Sequence, residues 1–297
     1  MKVLVIGGNR FVGLRLSTDL DRSKEMDLSI LNRTGQVAHV KNAAVYKGDR
    51  AHPGSTHIDL DWDVIVDFAC YNERDALSAT RFFRNVGRYI FISTASVYDY
   101  GAALRESDFD PRTWARQSIP SVTAGQPTSY QDGKRRAESV FMTEAKFPVV
   151  CVRFPFILGP DDYTRRLEFH VERIQHGQPL FIPNLEAVIS MIHAEDACRF
   201  LRWSMTQNFA GPLNVASPKP IKLNDLIRAI SSQTGKKAIL VDRPTDSNRS
   251  PYSPDDHFGL DCSAAKALGF SAPAIMDWLP DLIDGAMEAP SNRSKLH

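Results

Sequence analysis

The sequence has no apolar run approaching the length that spans a bilayer and no secretory leader, so a soluble cytoplasmic protein is expected. Charge of either sign is scarcely in excess. Its 36 Lys and Arg stand against 35 Asp and Glu, a formal +1, and no bulk field draws in nucleic acid or an acidic membrane. The four cysteines, Cys70, Cys151, Cys198 and Cys262, lie far apart at spacings that suit no zinc site. They read as small buried hydrophobes in a reducing compartment, and no metal centre is expected. There is no internal repeat, low-complexity tract or coiled-coil heptad.

What the chain does have is an ordinary globular balance, 43% hydrophobic and 24% charged, over 297 residues. That length supports one large core or two unequal domains. The opening MKVLVIGGNRFVG organises the rest. Val3 to Ile6 is a short apolar run without helical period, which predicts a strand buried on both faces. Gly7 and Gly8 follow, then Asn9 and Arg10, and an amphipathic stretch begins at Phe11 and runs through Val12 and Gly13. A strand, a tight glycine turn and a helix N-terminus make a phosphate site. Gly7 and Gly8 allow the turn and a close ligand, Gly13 lets helix pack on strand, and the helix dipole favours an anion.

Apolar residues at helical spacing over 11–20 and a strand over 27–31 come next. An acidic residue after this second strand commonly bonds the adenosine ribose of NAD, whereas arginine suits a 2′-phosphate. Here Asn32 and Arg33 occupy that end, with Arg10 as a second cation, which favours NADP over NAD. A third strand around Val45 and Tyr46 leads to Asp49, placed to accept from the adenine amine. Further strands are predicted over 63–67, 88–92 and 149–153, with a helix over 73–85. Strands alternating with helices at this spacing imply βαβ units and a parallel sheet.

The strand over 88–92 runs into Ser93, Thr94, Ala95, Ser96, Val97 and Tyr98, hydroxyls gathered where open α/β folds bind ligands. Residues 101–128, with three prolines and no clear period, read as a long excursion over the active-site mouth. A helix predicted over 129–146 then carries Tyr130 and Lys134, four apart and so on one face. A phenol with a pKa of about 10 is a poor base at neutral pH, and a nearby ammonium stabilises its phenolate. Helices are further expected over 165–175, from 191–196 onward, and over 223–234, 263–268 and 275–286, with strands over 212–216 and 238–241. His193 reads as a structural histidine, 243–256 as a mobile loop, and the tail from Pro290 as frayed.

Taken in order, VIGGNRFVG, GDR, FISTASVY, YQDGK, VRFPFILGP, IHAEDA, LNVAS and DCSAAKALGF form a pattern that covers nearly the whole chain. It resembles the extended short-chain dehydrogenase/reductase superfamily, in the branch of NAD-dependent sugar epimerases and dehydratases. The resemblance implies a Rossmann-type α/β fold, a doubly wound parallel sheet with a smaller C-terminal α/β substrate domain. The dinucleotide domain would be 1–155 with about 187–216, and the substrate domain 156–186 with 217–297. By the same resemblance Tyr130 is the acid/base, Lys134 bonds the nicotinamide ribose and lowers the tyrosine pKa, and Thr94 bonds the reacting oxygen. Cofactor contacts are implied at the turn from Gly7 to Gly13, at Asn32 and Arg33, and at Asp49 and Arg50. They are implied also at Phe68, Ala69 and Cys70, at Ser93 and Lys134, and at Phe154 and Pro155. Ser96, Tyr98 and Phe156 fall to the substrate. Relatives often dimerise through the helices expected here over 73–85 and 129–146.

The departures are as specific. The usual second glycine is Arg10 and the acid after the second strand is Asn32, as in an atypical subgroup that includes the chloroplast stem-loop RNA-binding proteins. Those relatives tend to lose the catalytic tyrosine, and this chain keeps it. The 4,6-dehydratases carry Asp-Glu after the catalytic threonine, where Ala95 and Ser96 stand here, so dehydration is not expected. Phe156 and Ile189 replace the asparagine and arginine with which galactose epimerases hold a UDP-sugar diphosphate. The site is then more apolar, or takes phosphate through Arg165, Arg166 or Arg243. The expected function is an NAD(P)-dependent oxidoreductase or epimerase acting on a hydroxyl or ketone of a sugar nucleotide or related small polar substrate. The alternatives are an RNA-binding protein and an NADP sensor of the same fold without turnover. The near-zero net charge weighs against RNA.

Overall fold

The computed structural model describes residues 1–52, 58–59, 61–118, 129–252 and 254–288. The chain divides into two compact units, one of residues 1–99, 105–155 and 195–215, the other of 100–104, 156–194 and 216–297.

The first unit is built on β1 (Lys2–Ile6), α1 (Phe11–Arg22), β2 (Asp27–Asn32), β3 (Ala44–Lys47), β4 (Asp61–Asp67), α2 (Glu73–Phe82) and β5 (Asn85–Thr94). It continues with α3 (Pro111–Ser118), α4 (Tyr130–Glu144), β7 (Val149–Phe154), α6 (Ala194–Ser204) and β12 (Gly211–Asn214), while β6 (Gly101–Leu104) belongs to the second unit. The strands form one seven-stranded parallel sheet, ordered β12-β7-β5-β4-β1-β2-β3. Val3, Leu4, Val5 and Ile6 are buried on both faces, as are Val64, Ile65 and Val66 on β4, because helices cover both sides. The chain winds outward from β1 through β2 to β3, then returns to lay β4 on the other side of β1. That reversal is the switch point at whose strand carboxyl ends such sheets bind ligands. The fold is the Rossmann-like α/β architecture expected.

The second unit holds β8 (Phe156–Leu158), α5 (Arg166–Gln175), β9 (Pro179–Leu180), β10 (Val188–Ile189) and β11 (Met191–His193). It closes with β13 (Ile221–Lys222), α7 (Leu223–Thr234), β14 (Ile239–Leu240), β15 (Phe258–Leu260), α8 (Ser263–Ala267) and α9 (Leu279–Glu288). A small sheet runs β13-β10-β15-β6, with β8 paired to β11 and β9 to β14. Its core is Leu167, Val171, Ile174, Leu226, Ile230, Leu279 and Ile283, the inward faces of α5, α7 and α9. Among the described residues no helix is long and apolar enough to cross a membrane.

Several local expectations are corrected. The helix over 73–85 stops at Phe82, because Phe83 turns into the core and Asn85 already pairs with Asp61 in the sheet. Residues 191–193 form β11, not the start of a helix: Met191, Ile192 and His193 pair with β8, and Glu195 and Asp196 mark the first turn of α6. The stretch 101–118 is structured. Asp110 accepts from the Arg112 amide and the Thr113 hydroxyl, and Pro111 opens α3, where its missing N–H costs nothing. The rest of the expected excursion, 119–128, and the tail from Pro290 lie outside the described residues.

One buried group makes this second unit sensitive to acid. His170 on α5 is fully buried, its Nδ1–H donating to the Arg166 carbonyl at 2.7 Å, its Nε2 accepting from Ser250 Oγ at 2.7 Å, and its ring stacked on Tyr252. Burial pulls its pKa down to about 4. Between about pH 6.5 and the folded value the unfolded chain takes up a proton that the folded one refuses, so stability falls as pH falls through that window. The expected loss from this residue between about pH 7 and 5 is about 2 kcal/mol. Urea unfolding at the two pH values checks it, since His170→Gln removes that part of the slope. An equal slope in the variant would refute it.

Candidate active site

At the end of β1 the chain makes the turn on Gly7 and Gly8, both with positive φ, 84° and 76°. A Cβ on Gly8 would lie 2.6 Å from Val5 Cγ1, and one on Gly13 would lie 2.5 Å from Gly8 Cα. Both glycines are therefore required for α1 to seat on β1. Phe11 is held at φ 48°, in the left-handed region, where strain tends to collect at functional turns. The helix begins with Arg10 as its N-cap residue, with no side-chain cap and no acid in the first turn. An anion is what such a terminus lacks. Beside it, the Phe68 amide donates to the Ile6 carbonyl at 3.0 Å, so Phe68 and Ala69 border the turn at the switch point. The turn, the dipole and the missing acid fit a dinucleotide phosphate.

The second strand ends differently from the expectation. Asn32 donates to Asn9 Oδ1 and the Gln36 carbonyl, each at 3.2 Å, and accepts from the Gly35 amide at 2.7 Å and the Thr34 hydroxyl at 3.0 Å. Both donors and both acceptor positions are filled, so the side chain ties the β2 turn to the glycine turn and offers nothing to a ribose. Arg10 and Arg33 are exposed. Asp49 is exposed as well. The Ala51 amide, donating at 2.8 Å, draws its carboxyl below the usual range, with His52 and Arg33 adding to the effect.

Arg50 is another correction. Its buried guanidinium donates to Asp67, to the Asp75 carbonyl and to Tyr89 Oη, and Tyr89 donates to Asp67 in turn. It clamps the ends of β3 and β4 to the start of α2, its guanidinium engaged by these internal partners. Ser93 likewise donates to buried Glu138, and the Phe154 ring packs edge-on against Phe200. Tyr98 is buried, donating to Asn214 Oδ1 and accepting from Arg153 Nη1, both at 2.7 Å, so its hydroxyl is spent inside the unit. Pro155 follows β7, and Phe156 lies in the second unit with its ring against Tyr252 at 4.9 Å. Ile189 there is fully buried core, and His193 packs on Trp278.

The three residues expected to act together, Thr94, Tyr130 and Lys134, lie at the end of β5 and on the first turns of α4. Ser129 caps α4 by accepting from the Asp132 amide, and Gln131 donates to the Tyr98 carbonyl at 2.8 Å, which fixes the first turn. Tyr130 is the first residue of that helix, 53% exposed. Lys134, one turn on, is 2% exposed, and its Nζ donates to the Cys70 carbonyl at 2.8 Å and the Ile92 carbonyl at 2.7 Å. It stands 5.9 Å from the Tyr130 ring centroid. Burial lowers the Lys134 pKa from the ordinary lysine value, against the opposing charges of Cys70, Asp67 and Glu138. Cys70 thus contributes a backbone carbonyl, while its thiol is buried and pushed up to about 12, chiefly by burial. Thr94 Oγ1 donates to Ser96 Oγ at 3.2 Å and accepts from the Ser96 amide at 3.1 Å, closing a small hydroxyl turn. The result is a solvent-facing phenol, a dry ammonium behind it and a pair of hydroxyls on the neighbouring strand end.

Sequence reasoning missed the support behind this trio. Glu138, one turn past Lys134, makes a fully buried ion pair with Arg153 at 2.6 Å. A charged residue inside the apolar run VVCVRF, and a glutamate on the inward face of the same helix, were the available signals. Tyr71, beside the ammonium, gave none.

The profile of the NAD dependent epimerase/dehydratase family matches residues 3–216. A curated relative, the chloroplast stem-loop binding protein of 41 kDa b of Arabidopsis thaliana, is 24% identical over 97% of this chain and 78% of its own length. Among solved structures, the UDP-glucuronic acid 4-epimerase of Bacillus cereus in complex with NAD is 17% identical, with TM-score 0.71 and 99% of each chain covered. The UDP-glucose 4-epimerase of Thermotoga maritima with UDP-glucose is 16% identical, with TM-score 0.68, covering 96% of this chain and 98% of the other. The dTDP-glucose 4,6-dehydratase of Bacillus anthracis in complex with NAD is 17% identical, with TM-score 0.68 and 96% of each chain covered.

Proposed function

The chain belongs to the NAD-dependent epimerase/dehydratase family, and on that premise we propose that it is an NAD(P)-dependent oxidoreductase or epimerase. Its substrate would be a hydroxyl or ketone centre on a sugar nucleotide or related small polar molecule. The observation that carries this reading is the Lys134 ammonium, dry, fixed on two carbonyls and 5.9 Å from the ring of an exposed tyrosine. A lysine buried at that cost, with no carboxylate bonded to it among the described residues, is held for its charge.

The glycine turn and the N-terminus of α1 would take the pyrophosphate, and Lys134 would donate its remaining N–H to the nicotinamide ribose. When bound, the nicotinamide supplies hydride transfer at C4. Tyr130 exchanges a proton with the substrate oxygen, and the ammonium beneath favours the phenolate that results. Thr94, braced by Ser96, orients that same oxygen. Reduction and epimerisation make the same demand on these groups. Dehydration needs a further acid and base beside the threonine, and Ala95 and Ser96 supply no carboxylate.

Arg10 and Arg33, exposed around a β2 end that carries no acid, support NADP as the preferred cofactor. NADP is expected to raise the thermal unfolding midpoint more than NAD at equal concentration. A tenfold affinity difference corresponds to about 1.4 kcal/mol of added stability. A larger shift with NAD would refute the preference.

RNA binding is not proposed, although the Arabidopsis relative is named for stem-loop binding. Both short basic runs are engaged internally. Lys134 is buried, Arg135 pairs with Asp99, Arg136 lies near Glu73, Arg165 pairs with Glu172 and Arg166 lies over Phe156.

A further inference from the structure

The geometry points to Tyr71 as a positioning residue of the proposed site, its ring closing the solvent side of the Lys134 ammonium. The inference rests on the reading of Lys134 as the cation of that site. Three rings stand around Lys134 Nζ: Phe91 at 4.8 Å, Tyr71 at 4.9 Å and Tyr130 at 5.9 Å. Phe91 is a core side chain on β5, fixed against Phe141 at 5.0 Å. Tyr71 is not core. It is 54% exposed and yet lies over an ammonium that is 2% exposed, a surface ring set against a buried cation.

Its backbone cannot swing clear. The Tyr71 amide donates to Asp75 Oδ2 at 2.9 Å, and Asn72 caps α2 by accepting from the Asp75 amide at 3.0 Å. The Cys70 carbonyl just before it takes the ammonium, and Arg50 donates to the Asp75 carbonyl. The turn is therefore pinned on both sides, and the ring is delivered over Lys134 by the same residues that start α2. A cation over an aromatic face, desolvated, gains attraction that a surface pair does not. The cover excludes water from the ammonium, which keeps its two carbonyl bonds intact and its remaining N–H in one direction. The other groups that face Lys134 are Asp67, Cys70, Arg50, Glu138 and Tyr130.

Competitive acetylation with acetic anhydride across a pH series, read peptide by peptide by mass spectrometry on the full chain, tests this directly. Exposed Lys24 and Lys236 serve as internal references. The limiting rate at high pH reports access to the amine, and the midpoint reports how well the ammonium is solvated. Tyr71→Ala is expected to raise the limiting rate at Lys134 about tenfold, with the reference lysines unchanged. Tyr71→Phe keeps the ring and is expected to label like the wild type. If Tyr71→Ala does not fold, Tyr71→Leu, which keeps bulk without a π face, is expected several-fold faster than wild type. A Lys134 rate unchanged in Tyr71→Ala, or in Tyr71→Leu where that is the variant used, overturns the inference. Protection of wild-type Lys134 by added NADP or NAD reads the dinucleotide proposal separately. If neither cofactor protects while Tyr71→Ala still accelerates labelling, the dinucleotide reading fails and the cover stands.

Discussion

Tyr130→Phe is expected to lower kcat by roughly 10²–10⁴-fold, the usual contribution of a positioned proton carrier, while leaving cofactor-induced thermal stabilisation unchanged. The substitution removes one oxygen from a side chain that is 53% exposed and no part of the core, so the fold has little to lose. The start of α4 keeps its Ser129 cap and its Gln131 anchor, and Lys134 keeps both carbonyls. Substituting Lys134 itself is a blunter test. It would strip the Cys70 and Ile92 carbonyls of a charged donor and leave a hole between three rings, so lost activity would mix chemistry with damage. Steady-state assays with a carbonyl or sugar-nucleotide panel, beside thermal shift with NADP and NAD, separate the outcomes. A kcat within a few-fold of wild type would remove Tyr130 as the proton carrier.

The sheet was readable because its strands are apolar runs without helical period, and the phosphate turn because glycine is scarce enough that Gly7, Gly8 and Gly13 mean something. The Tyr130–Lys134 pair was readable because four residues are one helical turn. The partners of that lysine were not. The Cys70 and Ile92 carbonyls are backbone groups, and no residue type announces which carbonyl a side chain will meet. Polar residues at strand ends were over-read in one direction. Asn32, Arg50, Ser93 and Tyr98 stand where ligands bind in such folds, yet Asn32 is spent on the turn beside it and the other three turn inward to satisfy another buried group. A strand end has two sides, and its sequence does not say which side is wet. Tyr71 fell between motifs, one residue before a helix cap, and its significance comes only from the cation it covers.

Glu138→Gln and Arg153→Met are each expected to destabilise the protein by about 3–5 kcal/mol, the cost of leaving one member of a buried pair without its counter-charge. The pair is more than an ion pair. Arg153 Nε and Nη2 reach both Glu138 oxygens, Nη1 holds Tyr98 Oη and the Glu106 carbonyl, and Nη2 holds the Phe109 carbonyl. Ser93 donates to the same glutamate, and Asn214 takes the Tyr98 hydroxyl while its own amide donates to Glu106 at 2.8 Å. One guanidinium thus joins β7, α4, the end of β5 and the segment leading to α3. Replacing both partners with apolar groups can restore a simple buried pair. Here it would still orphan the Glu106 and Phe109 carbonyls, so the apolar double variant Glu138→Leu with Arg153→Met is expected to recover only part of the loss. A double-mutant cycle by urea unfolding should show coupling of about 1–3 kcal/mol between the two sites. Because Glu138 lies one turn beyond Lys134 and holds the neighbour of Thr94, the same variants are expected to loosen the proposed site around Thr94, Tyr130 and Lys134 before the sheet itself gives way. Single-variant costs under about 1 kcal/mol, the range of a surface pair, would show that this network is not what holds the site in place.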